Sequence, residues 1–273
     1  MSPYYSFVND QLVPANNARL TITDMAIQRG YGIFDFFKFI DHRLIFIDDH
    51  LERLERSAEA MRLPLPYNRE EIITILKELI IKNDMPNGGI RVGVTAGYAP
   101  DAYSIAAPNF IITQQALQLP ATLAAPVSLM THQHQRQLPH VKTIDYLMAV
   151  WLQPVIQQSG AQEVLYYNSN SITECPRANF FIVDKDNTLI TPAQHILAGV
   201  TRKHILAIAG KEFKVELRDI SREEVYAAKE VFISSSTLNI KPVGTVDGQL
   251  INNGVPGEVT GHLFHKLLQE INH

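Results

Sequence analysis

The chain has 273 residues, of which 46% are hydrophobic and 19% are charged, a composition that is typical of a folded globular protein and excludes a disordered chain. At roughly 150 residues per domain, this length predicts about two domains. Lys and Arg number 24 against 28 Asp and Glu, so the net charge is −4 and we expect no nucleic acid partner, which would require a basic excess.

The first half of the sequence predicts short strands and two amphipathic helices. The predicted strands span 4–8, 11–14, 33–40, 43–47, 90–95 and 109–113, and the predicted helices span 48–61 and 69–82. Asp48 or Asp49 is the expected N-cap of the first helix. In the strand at 90–95 apolar residues alternate with Arg91, which should therefore face away from the core.

The second half predicts a similar mixture. The predicted strands span 126–131, 163–167, 179–183, 189–191, 231–234 and 240–246, and the predicted helices span 144–158, 199–211, 221–229 and 257–271. Ser221 and Glu224 have the spacing of a capping box at the start of a helix.

Residues 114–125 lack periodicity and contain Pro120, which is typical of a linker. Strands and helices on either side mix without strict alternation, which favours two α+β lobes over one parallel sheet. The sequence therefore predicts a two-domain α+β fold, with an N-terminal domain at 1–115, a linker at 116–125 and a C-terminal domain at 126–273.

Cys175 is the only cysteine, which excludes an internal disulfide and a cysteine-rich zinc site, and we expect no metal. A single cysteine also fits a reducing compartment. The sequence shows no secretory signal pattern, and no run approaches the ~20 apolar residues that span a bilayer. We therefore expect a cytoplasmic protein without membrane contact.

Three separate features could together bind one phosphate group. Gly199, Val200 and Thr201 open a predicted helix, whose N-terminus favours an anion. Four hydroxyl residues, 234–237, follow a strand, and Arg53 lies on a helix beside a histidine. Taken singly, the helix start is more commonly plain capping and the hydroxyl run more commonly a solvated loop.

Lys142 and Glu174 stand out for a different reason, because each could carry chemistry. Lys142 has apolar neighbours and precedes an apolar helix, so desolvation could make its amine a nucleophile. Glu174 precedes a buried strand and could keep a heterocyclic nitrogen protonated. Their local alternatives are a surface lysine whose stem covers apolar surface and an ordinary turn carboxylate.

Six segments occur in a fixed order along the chain: Arg29-Gly-Tyr-Gly-Ile-Phe-Asp35, His50-Leu-Glu-Arg-Leu54, Val141-Lys142 with Tyr146, Thr173-Glu174 to Asn179-Phe180, Leu197-Ala-Gly-Val-Thr-Arg202, and Val231-Phe232 through Ser236 to Pro242-Val243. Together they resemble the class IV, fold type IV aminotransferases that use pyridoxal 5′-phosphate (PLP). That group includes branched-chain and D-amino acid aminotransferases and aminodeoxychorismate lyases. The likeness runs almost end to end.

The resemblance implies roles for the matched residues. Lys142 would form a Schiff base with PLP and move the α-proton, while Glu174 would pair with the pyridine nitrogen. Tyr146 would lie near the 3′-oxygen of the ring. The other cofactor-binding residues that it implies are Arg53, Asn179, Leu197, Gly199, Val200, Thr201, Ser235 and Ser236.

The substrate carboxylate needs donors, and arginine binds carboxylates with two hydrogen bonds. The candidate substrate-binding residues are Arg29, Tyr31, Arg91, Arg177 and Thr237. Each of the three arginines could equally belong to a structural ion pair. In this family the region around Arg29 can reach a neighbouring subunit.

The resemblance implies a ping-pong aminotransferase that moves an amino group between an amino acid and a 2-oxo acid. The Tyr-then-Arg pocket pair of branched-chain enzymes is not found, so D-amino acids of the D-alanine or D-glutamate type are slightly favoured. A branched-chain aminotransferase and a 4-amino-4-deoxychorismate lyase are the alternatives, and a PLP-free binding protein is a third. Family members are commonly homodimers, so we expect a homodimer.

Overall fold

The computed structural model describes residues 4–169 and 171–272, which form two compact units. Unit 1 comprises Met1–Gln118 with Val141–Asp145, and unit 2 comprises Leu119–His140 with Tyr146–His273. Helices and strands mix in both units, which confirms the predicted α+β class. Lys142 belongs to unit 1, although the sequence prediction assigned the whole of 126–273 to the second domain.

Unit 1 is built on a six-stranded antiparallel sheet with the strand order β2-β1-β6-β5-β3-β4. Its elements are β1 (Tyr5–Val8), β2 (Gln11–Pro14), α1 (Met25–Arg29), β3 (Gly32–Ile40), β4 (Arg43–Leu44), α2 (Ile47–Ala60), α3 (Arg69–Lys82), β5 (Gly88–Thr95) and β6 (Asn109–Gln115). Helix α2 packs against β3, and α3 packs against β1 and β6. Ile90, Val92 and Val94 are fully buried and Arg91 is exposed, which confirms the predicted alternation.

Two local predictions in unit 1 are wrong. The strand expected at 43–47 is only the two-residue β4, because the chain turns at Phe46 into α2. Phe46, in the left-handed region at φ 54, is the N-cap of α2, and no side chain caps it. Asp48 and Asp49 instead lie in the first turn, where negative charge stabilises the helix dipole.

The segment 141–145 lies along the start of β3, on the edge opposite β5. The backbone N–H of Phe34 donates to the Lys142 carbonyl at 3.0 Å, and Ile144 N–H donates to the Gly32 carbonyl at 3.0 Å. Ile33 and Thr143 form an antiparallel bridge between these two bonds. Because a one-residue slip would turn every side chain to the other face, this register fixes the direction of Lys142.

Unit 2 is built on a ten-stranded mixed sheet whose main path is β13-β12-β11-β14-β15-β7-β8-β9. Its elements are β7 (Val127–Gln133), α4 (Leu147–Trp151), α5 (Gln153–Ser159), β8 (Glu163–Asn168), β9 (Ser171–Ile172), β10 (Glu174–Cys175), β11 (Ala178–Val183), β12 (Leu189–Thr191), α6 (Val200–Ala209), β13 (Val215–Leu217), α7 (Arg222–Ala227), β14 (Glu230–Ser235), β15 (Asn239–Val246), β16 (Gln249–Leu250) and α8 (Glu258–Asn272). Helices α6 and α8 pack on each other and on β14.

The helix predicted at 144–158 is wrong in form, because two short helices, α4 and α5, occupy that stretch. Residues 142–144 are paired with β3, which excludes a helix start at residue 144, and the first helix begins at Leu147. Pro154 lies in the first turn of the second helix, where its missing N–H costs nothing. The capping box of Ser221 and Glu224 is confirmed at the start of α7.

Candidate active site

In unit 1, Lys142 and Arg91 share one aromatic ring. Lys142 Nζ lies 4.7 Å from the centroid of the Phe34 ring, and Arg91 Cζ lies 3.7 Å from the same centroid. The Lys142 N–H also donates to Ser57 Oγ at 3.3 Å. The face of an aromatic ring attracts a cation, so the Phe34 ring holds both side chains and keeps the Lys142 amine beside Arg91.

Arg53 belongs to a buried charged triad in the same unit. Its Nε and Nη2 donate to the two Asp35 carboxylate oxygens, each at 2.8 Å, and His50 Nδ1 lies 2.7 Å from Asp35 Oδ1. Burial alone would raise the pKa of the Asp35 carboxyl, but Arg53 and His50 hold that pKa well below its usual range. Burial lowers the pKa of His50 despite Asp35. The triad fixes the Arg53 side chain on α2.

In unit 2, both oxygens of the Glu174 carboxylate accept hydrogen bonds. Arg136 Nη1 donates to Oε1 at 2.9 Å, and the Leu197 N–H donates to Oε2 at 3.0 Å. Glu174 is only 4% exposed, and its strand β10 pairs with β11 so that Glu174 stands opposite Asn179. The arrangement can hold an ionised carboxylate in a fixed orientation.

The loop before α6 is shaped by Asn179. Asn179 Nδ2 donates to the Leu197 carbonyl at 2.7 Å, and a Cβ atom at Gly199 would lie 2.0 Å from Asn179 Oδ1. A larger residue at this position would require the Asn179 amide or the loop to move. Helix α6 begins at Val200 without a side-chain cap, so its first N–H groups are oriented for an anion such as a phosphate.

The hydroxyl run, 234–237, begins in the last two residues of β14 and continues beyond the end of the strand. Ser235 Oγ lies 3.2 Å from Thr237 Oγ1 and accepts from the Leu238 N–H at 3.2 Å, while Ser236 is half-buried. Ser234 is 1% exposed, and its hydroxyl has no partner among the described residues. It stands opposite Asn179 in the sheet, so both side chains lie on one face. A buried hydroxyl of this kind suits a site that takes a ligand or water.

The remaining predicted residues belong to both units. Arg29 ends α1, is exposed and donates to the Gln28 carbonyl, while the Tyr31 hydroxyl donates to the Met61 carbonyl at 2.8 Å. Arg177 lies in the turn between β10 and β11, where its side chain is 74% exposed and pairs with Glu163 at 3.2 Å. Tyr146 is half-buried at the start of α4.

Sequence reasoning missed Arg136 and Asp35. Arg136 lies between two glutamines in a stretch without periodicity, and its partner Glu174 is 38 residues away, so no local signal could have identified it. Asp35 ends the first of the six ordered segments, but nothing in the sequence indicated its pairing with Arg53.

The described residues, 4–169 and 171–272, contain neither of two further arrangements. In this part of the chain no cluster of three or more His, Cys, Asp or Glu side chains is arranged to hold a metal ion. None of its helices has the length and apolar character needed to cross a membrane.

Comparison with known proteins gives three kinds of match. The family model for amino-transferase class IV matches residues 32–246. The D-alanine aminotransferase of Listeria monocytogenes serotype 4b is 29% identical over 275 residues, covering 97% of this chain and 95% of that protein.

Two solved structures show the same fold. The T.th. branched-chain amino acid aminotransferase, solved with pyridoxamine 5′-phosphate, has a TM-score of 0.92 at 19% identity, covering 99% of this chain and 95% of that one. A candidate 4-amino-4-deoxychorismate lyase from Legionella pneumophila has a TM-score of 0.86 at 24% identity, covering 94% of this chain and 97% of that one. Neighbours named for different activities therefore share the fold.

Proposed function

The chain belongs to the class IV aminotransferases, which depend on PLP, and from this premise we propose that it transfers amino groups from D-amino acids of the D-alanine or D-glutamate type to 2-oxo acids by a ping-pong mechanism. Full-length similarity to a D-alanine aminotransferase supports the D-amino acid preference. The match to branched-chain enzymes rests on the fold, at 19% identity for the protein solved with pyridoxamine 5′-phosphate.

The residues present fit PLP. The uncapped start of α6, the Ser234 hydroxyl without a partner among the described residues and the half-buried Ser236 suit a phosphate group, and Arg53 offers a fixed guanidinium. The buried Glu174 carboxylate suits a protonated ring nitrogen. When bound, PLP supplies the electron-accepting ring on which an amino group is exchanged.

The observation that carries the proposal is the placement of Lys142. Its backbone is fixed by hydrogen bonds to β3, and its Nζ lies over the Phe34 ring beside Arg91. A neutral Nζ can attack the cofactor's aldehyde, and when released it can accept a proton from the substrate α-carbon and return it. Because the backbone of Lys142 is fixed, its amine can reach only a small volume, which favours proton transfer between Nζ and a bound substrate.

The other catalytic roles concern charge. The Glu174 carboxylate accepts a hydrogen bond from Arg136, and in its ionised form it can hold the proton at the ring nitrogen. The Tyr146 hydroxyl is assigned to the 3′-oxygen of the ring, and Leu197 to one ring face. Asn179 acts on the phosphate loop through the Leu197 carbonyl.

The substrate carboxylates are assigned to arginines. Arg91 is the strongest candidate because its guanidinium lies over the same ring as Lys142 Nζ. Arg177 keeps a largely exposed guanidinium, and Arg29 is exposed at the end of α1. Three arginines suit a substrate with two carboxylates, such as glutamate. Tyr31 and Thr237 are the remaining candidates for contact with the substrate.

A half-reaction panel tests the proposal. The protein loaded with PLP is mixed with the D- and L-forms of alanine, glutamate, leucine and valine, and the change in cofactor absorbance is followed. We expect D-alanine and D-glutamate to react at least about tenfold faster than their L-forms. Fastest reaction with L-leucine or L-valine would contradict it in favour of a branched-chain enzyme, and catalytic release of pyruvate from 4-amino-4-deoxychorismate would indicate a lyase.

A further inference from the structure

We propose that Arg136 is a positioning residue that keeps the Glu174 carboxylate ionised and oriented, so that cofactor binding does not depend on the protonation of Glu174. This inference rests on the proposed function, because it assigns Glu174 to the ring nitrogen of PLP. It adds a residue that lies outside the six ordered segments.

The contact between the two side chains is short and shielded. Arg136 Nη1 lies 2.9 Å from Glu174 Oε1, and the side chains are 14% and 6% exposed. The same Nη1 also donates to the Pro139 carbonyl at 3.3 Å, which fixes the guanidinium from its own segment. An ion pair so little exposed is screened far less by solvent than a surface pair.

The backbone around Arg136 is also fixed. Gln135 Nε2 donates to the His195 carbonyl at 3.2 Å, and Gln135 Oε1 accepts from Asn168 Nδ2 at 2.7 Å. His195 lies two residues before Leu197, whose N–H donates to the other Glu174 oxygen. Both donors to the Glu174 carboxylate are therefore connected to the same loop, so the test must separate loss of the Arg136 charge from displacement of that loop.

Other charged and titratable groups surround Glu174. Arg202 on α6 is close enough to interact with it, although its Nε and Nη2 donate to Thr191 and Pro192. Burial lowers the pKa of Arg202, and Glu174 opposes that change. This part of unit 2 also contains Tyr166, on whose ring His134 packs, together with Glu163, Cys175 and Arg177.

Tyr166 and Cys175 stay neutral near pH 7, because burial raises the pKa of both. The Glu163 carboxylate is paired with Arg177. Arg136 is therefore the cation in direct contact with Glu174 among these groups, while Arg202 acts at longer range.

Removing Arg136 should change the number of protons that are released when PLP binds. With Arg136 present, Glu174 carries no proton in the cofactor-free protein, and the ring nitrogen of PLP brings the one proton that the pair shares. Without Arg136, a buried carboxylate takes up its own proton as the pH falls. Binding must then release one proton, so affinity decreases with falling pH.

The test measures the dissociation constant of PLP by equilibrium dialysis between pH 5 and 8.5. We expect Arg136→Met to weaken binding about tenfold at pH 8. Below the pH at which Glu174 becomes protonated, the ratio of the variant's dissociation constant to that of the unaltered chain should rise about tenfold per pH unit. Taking the ratio removes the titration of the cofactor phosphate and of Lys142, which both proteins share.

Two further variants separate charge from structure. Arg136→Lys keeps a positive charge at this position. Its PLP dissociation constant, relative to that of the unaltered chain, should therefore change little with pH. Arg218→Met removes an arginine of unit 2 that pairs with Glu216 and Glu224, and it should leave PLP affinity unchanged. Thermal unfolding of each cofactor-free variant shows whether it folds.

Two results would overturn the proposal. One is a ratio of PLP dissociation constants, Arg136→Met over the unaltered chain, that stays the same at every pH. The other is a PLP affinity that depends on pH equally in Arg136→Lys and Arg136→Met. If Arg136→Met does not fold, Arg136→Gln replaces it, and Glu174→Gln supplies the second measurement. Without a carboxylate at 174 the effect of residue 136 on the pH profile should vanish, and its persistence would contradict the proposal. Failure of the unaltered chain to bind PLP would instead refute the proposed function.

Discussion

The two units hold their candidate cofactor groups in different ways. In unit 1, Lys142 is fixed by strand register and by the Phe34 ring, and Arg53 is fixed by buried charges. In unit 2, Glu174 is fixed by Arg136 and by the Leu197 N–H, and the loop before α6 is fixed by the Asn179 amide. We therefore expect changes at Lys142 and Arg91 in unit 1 to act mainly on the reaction, and changes in the loop before α6 in unit 2 to act mainly on cofactor affinity.

The largest expected effect comes from unit 1. Lys142→Ala removes the amine that attacks the aldehyde and moves the α-proton, and proton transfer alone contributes about 10²–10⁴ in rate. Transamination should fall by at least that factor, while noncovalent PLP binding through unit 2 persists. Steady-state rates and equilibrium dialysis measure the two quantities.

Lys82→Ala is the matched control, because Lys82 lies over the Tyr5 ring on α3 and has no proposed role. Undiminished turnover of Lys142→Ala would contradict the assignment. Complete loss of PLP binding would instead break the distinction between the two units.

The next effect tests the loop of unit 2. Gly199→Ala places a Cβ atom 2.0 Å from Asn179 Oδ1, so the loop must shift and PLP affinity should fall about 10- to 100-fold. Asn179→Ala removes the clashing atom, so the double variant should bind PLP more tightly than Gly199→Ala alone.

Gly261→Ala is the control for that change, because a Cβ at Gly261 on α8 meets no atom within 4 Å. If the losses of PLP affinity caused by Asn179→Ala and Gly199→Ala add in the double variant, the approach of Asn179 to position 199 does not shape the loop. That result would weaken the account of how unit 2 positions the phosphate.

Arg91→Ala, in unit 1, tests whether this arginine binds the substrate carboxylate. Loss of a charged hydrogen-bonding partner costs about 1.5–3 kcal/mol, so KM for the amino acid should rise about 10- to 100-fold. Affinity for PLP should change little. Arg56→Ala, on the exposed face of α2, is the control, and loss of PLP with unchanged KM would count against Arg91 as a carboxylate ligand.

The next prediction concerns the stability of unit 2, where a buried carboxylate caps helix α8. Glu230 on β14 is 1% exposed and accepts hydrogen bonds from the N–H groups of Val259 and Thr260 and from the Thr260 hydroxyl. Glu230→Gln should lower the free energy of unfolding by about 1–2 kcal/mol, because it removes a charged cap of α8.

Glu258→Gln, in the exposed first turn of the same helix, should cost only about 0.3–1 kcal/mol. Denaturant titration measures both variants. If both variants lose the same free energy of unfolding, the buried Glu230 cap stabilises the protein no more than the exposed Glu258 does.

The smallest effect is a pH dependence of unit 1. Burial lowers the pKa of His50 below its ordinary value of 6.5, so the unfolded chain binds a proton that the folded chain resists. Stability should therefore fall as the pH decreases below 6.5, and His50→Gln should make that fall smaller. Denaturant titrations at several pH values measure it, and an unchanged slope would contradict this reading of the triad.

Much of the fold was readable from local pattern. Alternation predicted the buried face of β5, and the Ser221 capping box predicted the start of α7, because both signals lie within a few residues. The break between α4 and α5 was missed, since apolar periodicity continues through Leu152 and does not report that residues 142–144 are paired with β3.

The candidate site divides in the same way. Lys142 and Glu174 were identified because their segments occur in a familiar order, whereas Arg136 and the Glu230 cap act over 38 and about 30 residues of sequence. Side-chain contacts over such separations leave no local pattern. Similarly, sequence alone could not show that Asn179 touches the loop and Gly199.

The central claim is that the amine of Lys142 binds the cofactor. Borohydride reduction of the PLP-loaded protein, followed by peptide mapping, tests it directly, because reduction makes the bond to the lysine permanent. The account predicts a pyridoxyl label on the peptide that contains Lys142. A label on another lysine, or none on a protein that has bound PLP, would contradict it.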